Sequence, residues 1–173
     1  NAGNKISEVI TDLATGQRRS WAWTYSANGL SESMTEPGGG VWTYSHDTAG
    51  NSTGVRDPLG NQTTFSYDAA GRPLTQVSPG GLTTAFSYDA RGRLVRYAQA
   101  GEATSFTYNA SGQLGGVTFP DGHRVTYGYD SAERLVEVQD NQGAVIRYTL
   151  DAAGNRIVEE LRDPAGALTS RTS

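Results

Sequence analysis

The chain has 173 residues, and its 22 Gly, 19 Thr and 15 Ser are more small and β-branched positions than a helical bundle tolerates. Glycine costs about 1 kcal/mol against alanine inside a helix and threonine favours strands, so the composition points to an all-β fold of short strands and many turns. The formal net charge is −4, Lys5 is the one lysine among 14 basic residues, and cysteine is absent, which leaves no basic field for nucleic acid and excludes disulfides, thiolate metal sites and cysteine nucleophiles. No apolar run approaches the roughly 20 residues of a membrane-spanning helix. The chain opens at Asn1 without a charged-then-apolar leader and is expected to be an excised piece of a longer polypeptide.

In chain order, one pattern returns from residue 21 onward. It reads WAWTYSANGL at 21–30, VWTYSHDTAGN at 41–51, TTFSYDAAGRPLTQVSPGG at 63–81 and TAFSYDARGRLVRYAQAGE at 84–102. It continues as TSFTYNASGQLGGVTFPDGH at 104–123, VTYGYDSAERLVEVQDNQGA at 125–144 and IRYTLDAAGNRIVEELRDPAGA at 146–167. Gly29, Gly50, Gly71, Gly92, Gly112 and Gly154 mark one turn series at spacings of 20 or 21, with Glu133 filling the glycine slot of the sixth copy. Gly39, Gly60, Gly81, Gly101, Gly122, Gly143 and Gly166 form a second series about halfway between. Turns this close suit short antiparallel strands and leave no room for helical crossovers. Each period is one β-hairpin of about 21 residues plus a link, giving about 15 strands at roughly 4.8 Å spacing.

The strand entering each first-series turn alternates with period two. Trp21, Trp23 and Tyr25 share a face, as do Trp42, Tyr44 and His46, Phe65 and Tyr67, Phe86 and Tyr88, Phe106 and Tyr108, Tyr127 and Tyr129, and Tyr148 and Leu150. The opposite face carries Thr24, Thr43, Ser45, Thr64, Ser66, Ser87, Ser105, Thr107, Thr126 and Thr149, the pattern of a sheet covered on one side. On the return strands the apolar residues are three apart: Leu74 and Val77, Leu94 and Tyr97, Leu114 and Val117, Leu135 and Val138. Such spacing predicts a bulged or strongly twisted strand. In the turns, Asp68, Asp89, Asp130 and Asp151 are placed to accept amides two residues on, and the glycine supplies a positive φ.

The periodic Tyr-Asp-x-x-Gly-Arg-Leu pattern, as in YDAAGRPL, YDARGRL and YDSAERL, resembles the YD repeat of RHS-repeat proteins over residues 21–167. Residues 1–20 read as a degenerate leading copy beginning at the Ala2-Gly3-Asn4 of its turn, and 21–173 as about seven repeats in one continuous domain. The resemblance implies a curved, spiralling open sheet, a segment of a hollow shell. Such shells occur in bacterial Rhs proteins of contact-dependent and type VI secretion, the B and C components of insecticidal toxin complexes, and teneurin ectodomains. It further implies a structural role around a C-terminal toxin payload, with the rest of the RHS chain and the enclosed toxin as partners, in a secreted or envelope-associated bacterial protein. No match to the RHS-associated core that cleaves the toxin occurs before Ser173, so no autoproteolytic residue carries over. The sequence departs from the pattern at His46 and Leu150, in the tyrosine slot, and at Gln113 and Asn155, in place of arginine.

Chemistry-bearing clusters are sparse. His46 beside Asp47 and His123 beside Asp121 are explained by a repeat position and a Pro-Asp-Gly turn, and no acid, base and nucleophile converge. Asp151 with Asn155, and Asp140 with Asn141, match no calcium-loop spacing, so neither a metal nor a cofactor is expected. The sequons at Asn51, Asn61 and Asn109 sit at turn edges and are read as turn composition. The aromatic ladder allows two readings. Trp21, Trp23 and Trp42 stack on sugar rings, making the face a carbohydrate-binding or partner-binding surface, or the aromatics pack cross-strand on one another at about 0.2–1 kcal/mol per pair. As an isolated piece, the chain is expected to self-associate through its unpaired edge strands.

Overall fold

A residue in the left-handed region, glycine in all but one of the shared turns, marks where a strand stops. The computed structural model describes residues 3–173; Ala2, assigned from sequence to the turn of the leading copy, lies outside them. Among the described residues thirteen turns share one hydrogen-bond pattern, in which residue i donates to the carbonyl of i+4 at 2.8–3.0 Å and residue i+3 donates back to the carbonyl of i at 2.9–3.4 Å. This is the three-residue hairpin loop, a type I turn followed by a left-handed residue. That residue is glycine in twelve of them and Glu133, at φ 63°, in the thirteenth, so the glutamate accepts the strained conformation rather than changing the turn.

The strands so delimited are β1 (Ser7–Thr11), β2 (Arg18–Tyr25), β3 (Ser31–Thr35), β4 (Val41–His46), β5 (Ser52–Arg56), β6 (Gln62–Tyr67), β7 (Pro73–Val77) and β8 (Thr83–Tyr88). They continue as β9 (Leu94–Gln99), β10 (Glu102–Tyr108), β11 (Leu114–Thr118), β12 (Arg124–Tyr129), β13 (Leu135–Asp140), β14 (Val145–Leu150), β15 (Arg156–Arg162) and β16 (Leu168–Thr172). The described residues therefore hold 16 strands rather than about 15, hydrogen-bonded in chain order in one antiparallel sheet. The additional strand comes from the two ends, where residues 7–11 and 168–172 both pair. Two compact units, Asn1–Ala85 and Phe86–Ser173, divide within β8. Each unit is a run of hairpins in which contacts link only sequential strands.

The three-residue spacing on the return strands comes from bulges. Where β10 meets β11 the register runs Phe106↔Val117, Thr107↔Gly116, then jumps to Tyr108↔Leu114, leaving Gly115 as the extra residue. Where β12 meets β13 it runs Tyr127↔Val138 and Tyr129↔Leu135 with the same jump. One extra residue on the return strand restores side-chain parity, so positions three apart face the same side as aromatics two apart. The rule selects other residues in β7 than the apolar pair. In β7 the residues opposite Phe65 and Tyr67 are Gln76 and Pro73, so Leu74 and Val77 do not face the aromatics despite being apolar.

The one-residue contraction between Gly81 and Gly101 also has a local cause. Gln99 pairs directly with Glu102, and the two residues between them, Ala100 (φ 54°) and Gly101 (φ 87°), both take positive φ, as a two-residue type I′ hairpin loop requires.

Left-handed L-residues cost roughly 1–2 kcal/mol. Gly92, at φ 81°, is thus expected to resist β-branching: Gly92→Val should lower unfolding free energy in urea by about that amount. Glu133→Gly should raise it by about 0.5–1 kcal/mol, the relief of strain less the added backbone entropy. An unchanged midpoint for Gly92→Val would contradict the turn assignment.

Candidate functional surface

The sheet is a single layer. Among the described residues only Gly54, Thr84, Gly116 and Val117 are buried, and no second layer covers either face. The cover that the alternation predicts for one face is not supplied by the described residues themselves. The aromatic side is half-buried by its own neighbours, whereas Thr24, Thr43, Ser45, Ser66, Ser87, Thr107 and Thr149 opposite are exposed.

On the aromatic side each period contributes a row three strands wide. Within Asn1–Ala85 the rows are Trp23–Met34–Trp42, Tyr44–Val55–Thr63 and Phe65–Gln76–Thr84. Within Phe86–Ser173 they are Phe106–Val117–Val125, Tyr127–Val138–Ile146 and Tyr148–Glu159–Thr172. The hairpin inserts a return-strand residue between successive aromatics, which therefore stand two strands apart and do not stack on one another. Phe86 meets an aromatic, Tyr97 of β9, at 5.8 Å between ring centroids. Trp42 donates its indole N–H to Glu36 Oε1 at 2.7 Å, and the Lys5 ammonium lies 5.2 Å from the Trp23 ring centroid.

The second aromatic slot has a function the sequence pattern does not reveal. The Tyr67 hydroxyl donates to the Ser52 carbonyl at 2.7 Å, Tyr108 to Leu94 at 2.8 Å and Tyr129 to Leu114 at 2.9 Å; Tyr25 donates to Lys5 at 2.9 Å. In the link pairs β5–β6 and β11–β12 the ladder stops at Gly54↔Thr64 and Gly116↔Thr126. The phenol reaches the first carbonyl of the return strand beyond that point, satisfying an acceptor the backbone leaves open. His46 and Leu150 occupy this slot without a phenol; Tyr88 ends β8 in the equivalent place.

The first-series turns are closed by a second device. Asp89 Oδ1 accepts the backbone N–H of Arg91 and Arg93, both at 2.9 Å, while Oδ2 takes the Arg93 guanidinium at 2.6–2.7 Å. Asp68 with Arg72 and Asp130 with Arg134 repeat the arrangement. Asp47 with Asn51 and Asp151 with Asn155 use an amide instead of a guanidinium. The same cations reach onward to the next repeat: the Arg93 guanidinium lies 4.3 Å from the Tyr108 ring centroid, and Arg134 Nη1 donates to the Asp151 carbonyl at 3.1 Å. Gln113 donates to the Glu133 carbonyl in the same manner. Gly29, Gly50, Gly71, Gly112 and Gly154 all have positive φ in this turn row, and at Gly112 and Gly154 an added Cβ would meet the preceding repeat's arginine at 3.5–3.8 Å.

These bonds account for the residues that sequence alone left open to chemistry. Both Asp47 oxygens are engaged within their own turn, so Asp47 does not orient His46. Asp121 Oδ1 accepts the backbone N–H of His123 at 2.8 Å, and the His123 ring stacks on Phe119. The side-chain amides of Asn51, Asn61 and Asn109 are all donating within turns. Among the described residues no group of three His, Cys, Asp or Glu is placed to hold a metal, and no helix is long and apolar enough to cross a membrane. On the polar side a cross-strand row of alternating charge, Glu137–Arg147–Glu160–Arg171, runs through β13 to β16, with Arg147 bonded to Glu137 at 2.8 Å. Its members lie 10 to 13 residues apart, outside any local motif.

Hydrogen bonds to the ionised form hold the turn carboxyls below the ordinary aspartate value of 3.8: backbone N–H of the i+4 arginine first at Asp68, Asp89 and Asp130, and the asparagine side chain first at Asp47, Asp57 and Asp151. A depressed folded-state pKa contributes stability that is complete above the unfolded value and lost as pH falls through the folded one. The urea midpoint is therefore expected to stay flat from pH 7 to about 5 and fall below about pH 4, with Asp89→Asn and Asp130→Asn together flattening that acid limb. Tyr129→Phe, which removes a hydroxyl and leaves the Leu114 carbonyl open, should cost about 0.5–1.5 kcal/mol, against no loss if the phenol were merely solvated.

Against known proteins, the family description Teneurin YD-shell matches residues 61–166 and the description RHS Repeat matches residues 25–62. No curated protein sequence matched. Among solved structures, the TcdB2–TccC3–TEV crystal structure overlays with a TM-score of 0.70 at 17% identity, over 90% of this chain and 10% of that one. The Photorhabdus luminescens Tc holotoxin pore, carrying a TccC3 mutation, gives 0.69 at 18%, again over 90% and 10%. The TcdB2–TccC3–Cdc42 structure gives 0.69 at 16%, over 96% and 11%. This chain thus spans about a tenth of the length of those chains, and at such identity the likeness is one of fold. The family match covers more than half of the 173 residues and falls on the same glycine-phased hairpins, so the chain belongs to the teneurin-type YD-shell family of RHS/YD-repeat proteins.

Proposed function

We propose that this chain is a length of wall in a YD shell that encloses and isolates a toxin payload, delivered in interbacterial competition or by an insecticidal toxin system. The observation that carries the reading is the absence of a core: each strand is held only by its neighbours in the sheet, and the described residues form one layer with four buried positions. A single layer with a half-apolar face and a polar face is suited to separating two spaces and poorly suited to assembling a catalytic pocket. Continuous pairing keeps strand edges covered along its length, and repeat-to-repeat bonds through Arg93, Arg134 and the tyrosine hydroxyls resist parting of neighbouring hairpins. The partners under this reading are the remaining repeats of the same polypeptide and the enclosed segment, with self-association through the outer edges of β1 and β16 when the chain is alone. A secreted or envelope-associated location goes with it. The kinship with YD-shell repeats, and relatives named as parts of a Tc holotoxin, support the proposal.

A second reading, a surface module that binds carbohydrate or a partner protein, draws on the half-exposed Trp23–Met34–Trp42 row. The two separate in one experiment. In the complete polypeptide carrying these repeats, the payload segment should resist a protease that rapidly digests the same segment expressed alone, while tryptophan emission stays unchanged on adding glycans. Equal digestion rates would sink the enclosing role, and saturable quenching by a glycan would favour the surface module.

A further inference from the structure

Two departures from the repeat converge at one place in the Phe86–Ser173 unit. The link between β9 and β10 is one residue short, closing through Ala100 and Gly101. In the next link turn, Phe119 and His123 occupy the i and i+4 positions, which in the Asp57–Asn61 link turn hold a polar clasp. Their rings stack at 5.9 Å between centroids and 28° between planes, and Phe119 remains 40% exposed. Between the two turns lies an open groove of about 790 Å³, lined by Glu102, Ala103, Phe119, Pro120, Asp121 and His123 together with turn glycines. No lysine or arginine lines it. The Glu102 carboxylate makes no hydrogen bond or ion pair among the described residues, and Asp121 commits only Oδ1, to the His123 N–H.

From this geometry we infer that the groove between the 99–102 and 119–123 turns is a docking site for an arginine side chain carried on a polypeptide segment. An aromatic pair whose Phe119 is exposed offers a planar cation a face to stack on, and two carboxylates without cationic partners at the rim supply complementary charge and acceptors for its fork of donors. A groove open to solvent, rather than an enclosed cavity, accommodates the backbone from which such a side chain projects. The inference is independent of whether the sheet encloses a payload.

The test is an NMR titration of the isotope-labelled chain with the peptide acetyl-Ala-Arg-Ala-amide, its citrulline counterpart and free arginine. The expected result is saturable shifts confined to residues 101–103 and 119–123, with the citrulline peptide at least about fivefold weaker, in line with losing one cation–π contact and its charge pairing. Phe119→Asp installs the residue that Asp57 and Asp163 supply in equivalent turns, so the hairpin is expected to close while the arginine peptide binds at least about fivefold more weakly. Glu102→Gln, on the short turn, should weaken the arginine peptide and leave the citrulline peptide unchanged. Equal binding of both peptides, shifts that never saturate, or unaltered affinity in Phe119→Asp would overturn the site; tighter binding of free arginine than of the peptide would overturn the polypeptide source.

Discussion

Among the described residues each inner strand is held by the two strands beside it, each outermost strand by one, and none by a layer above or below. A globular domain compensates a weak hairpin with its core, because side chains far apart in sequence share one buried volume. Here the rows on the aromatic side are three strands wide and half-exposed, so the free energy of any hairpin is set by its own turn and its immediate neighbours. That constraint explains why polar bonds are concentrated at strand ends. The Asp–Arg clasp closes a turn, its guanidinium reaches the next turn, and a tyrosine hydroxyl completes the ladder where two strands part. In a layered protein these would be minor terms; in a single layer they are the contacts that join one period to the next.

The same constraint decides what was legible in the sequence. Turn positions were, since a positive φ within a five-residue window has a direct letter for it, and even Glu133 was placed by its neighbours' phase. The bulges were legible as a spacing of three, but not which side chains face which way: in β7 the apolar pair is Leu74 and Val77, while register sets Gln76 and Pro73 opposite Phe65 and Tyr67. The tyrosine hydroxyl was not, because it acts on a carbonyl 14 to 20 residues earlier that carries no side-chain signature. The arginine that follows the turn glycine reads locally as the partner of its aspartate; its reach into the next repeat requires knowing how successive turns stand beside each other. The spacing between aromatics was not legible either, since a ladder of letters in a sequence becomes, once hairpins form, a ladder with a rung between every pair.

A repeat held together in this manner tolerates substitution at a slot provided the neighbouring contacts survive. Asn51 and Asn155 replace arginine and keep a bond to the aspartate, and Asn109 with Gln113 replaces both partners while Gln113 still reaches the following turn. Those substitutions preserve the geometry of the wall. Phe119 and His123 are different, for where Asp57 and Asn61 form a polar clasp they set an aromatic pair that contributes no side-chain hydrogen bond across the turn, leaving the backbone bonds and Asp121 to close it.

Function in such a fold therefore resides in two places. The regular positions give the sheet its continuity, and they do so in every period alike, which makes them uninformative about what this chain does that another repeat array does not. Specificity has to come from the irregular ones. Within Phe86–Ser173 the shortened link, the residue forced to positive φ at Ala100, the aromatic pair at 119 and 123 and two carboxylates without cationic partners fall together. A strained turn next to an exposed ring is costly to keep in a protein with no core to offset it. Set against the turns that a polar clasp closes, that concentration of cost marks a stretch whose chemistry exceeds what pairing one strand to the next demands.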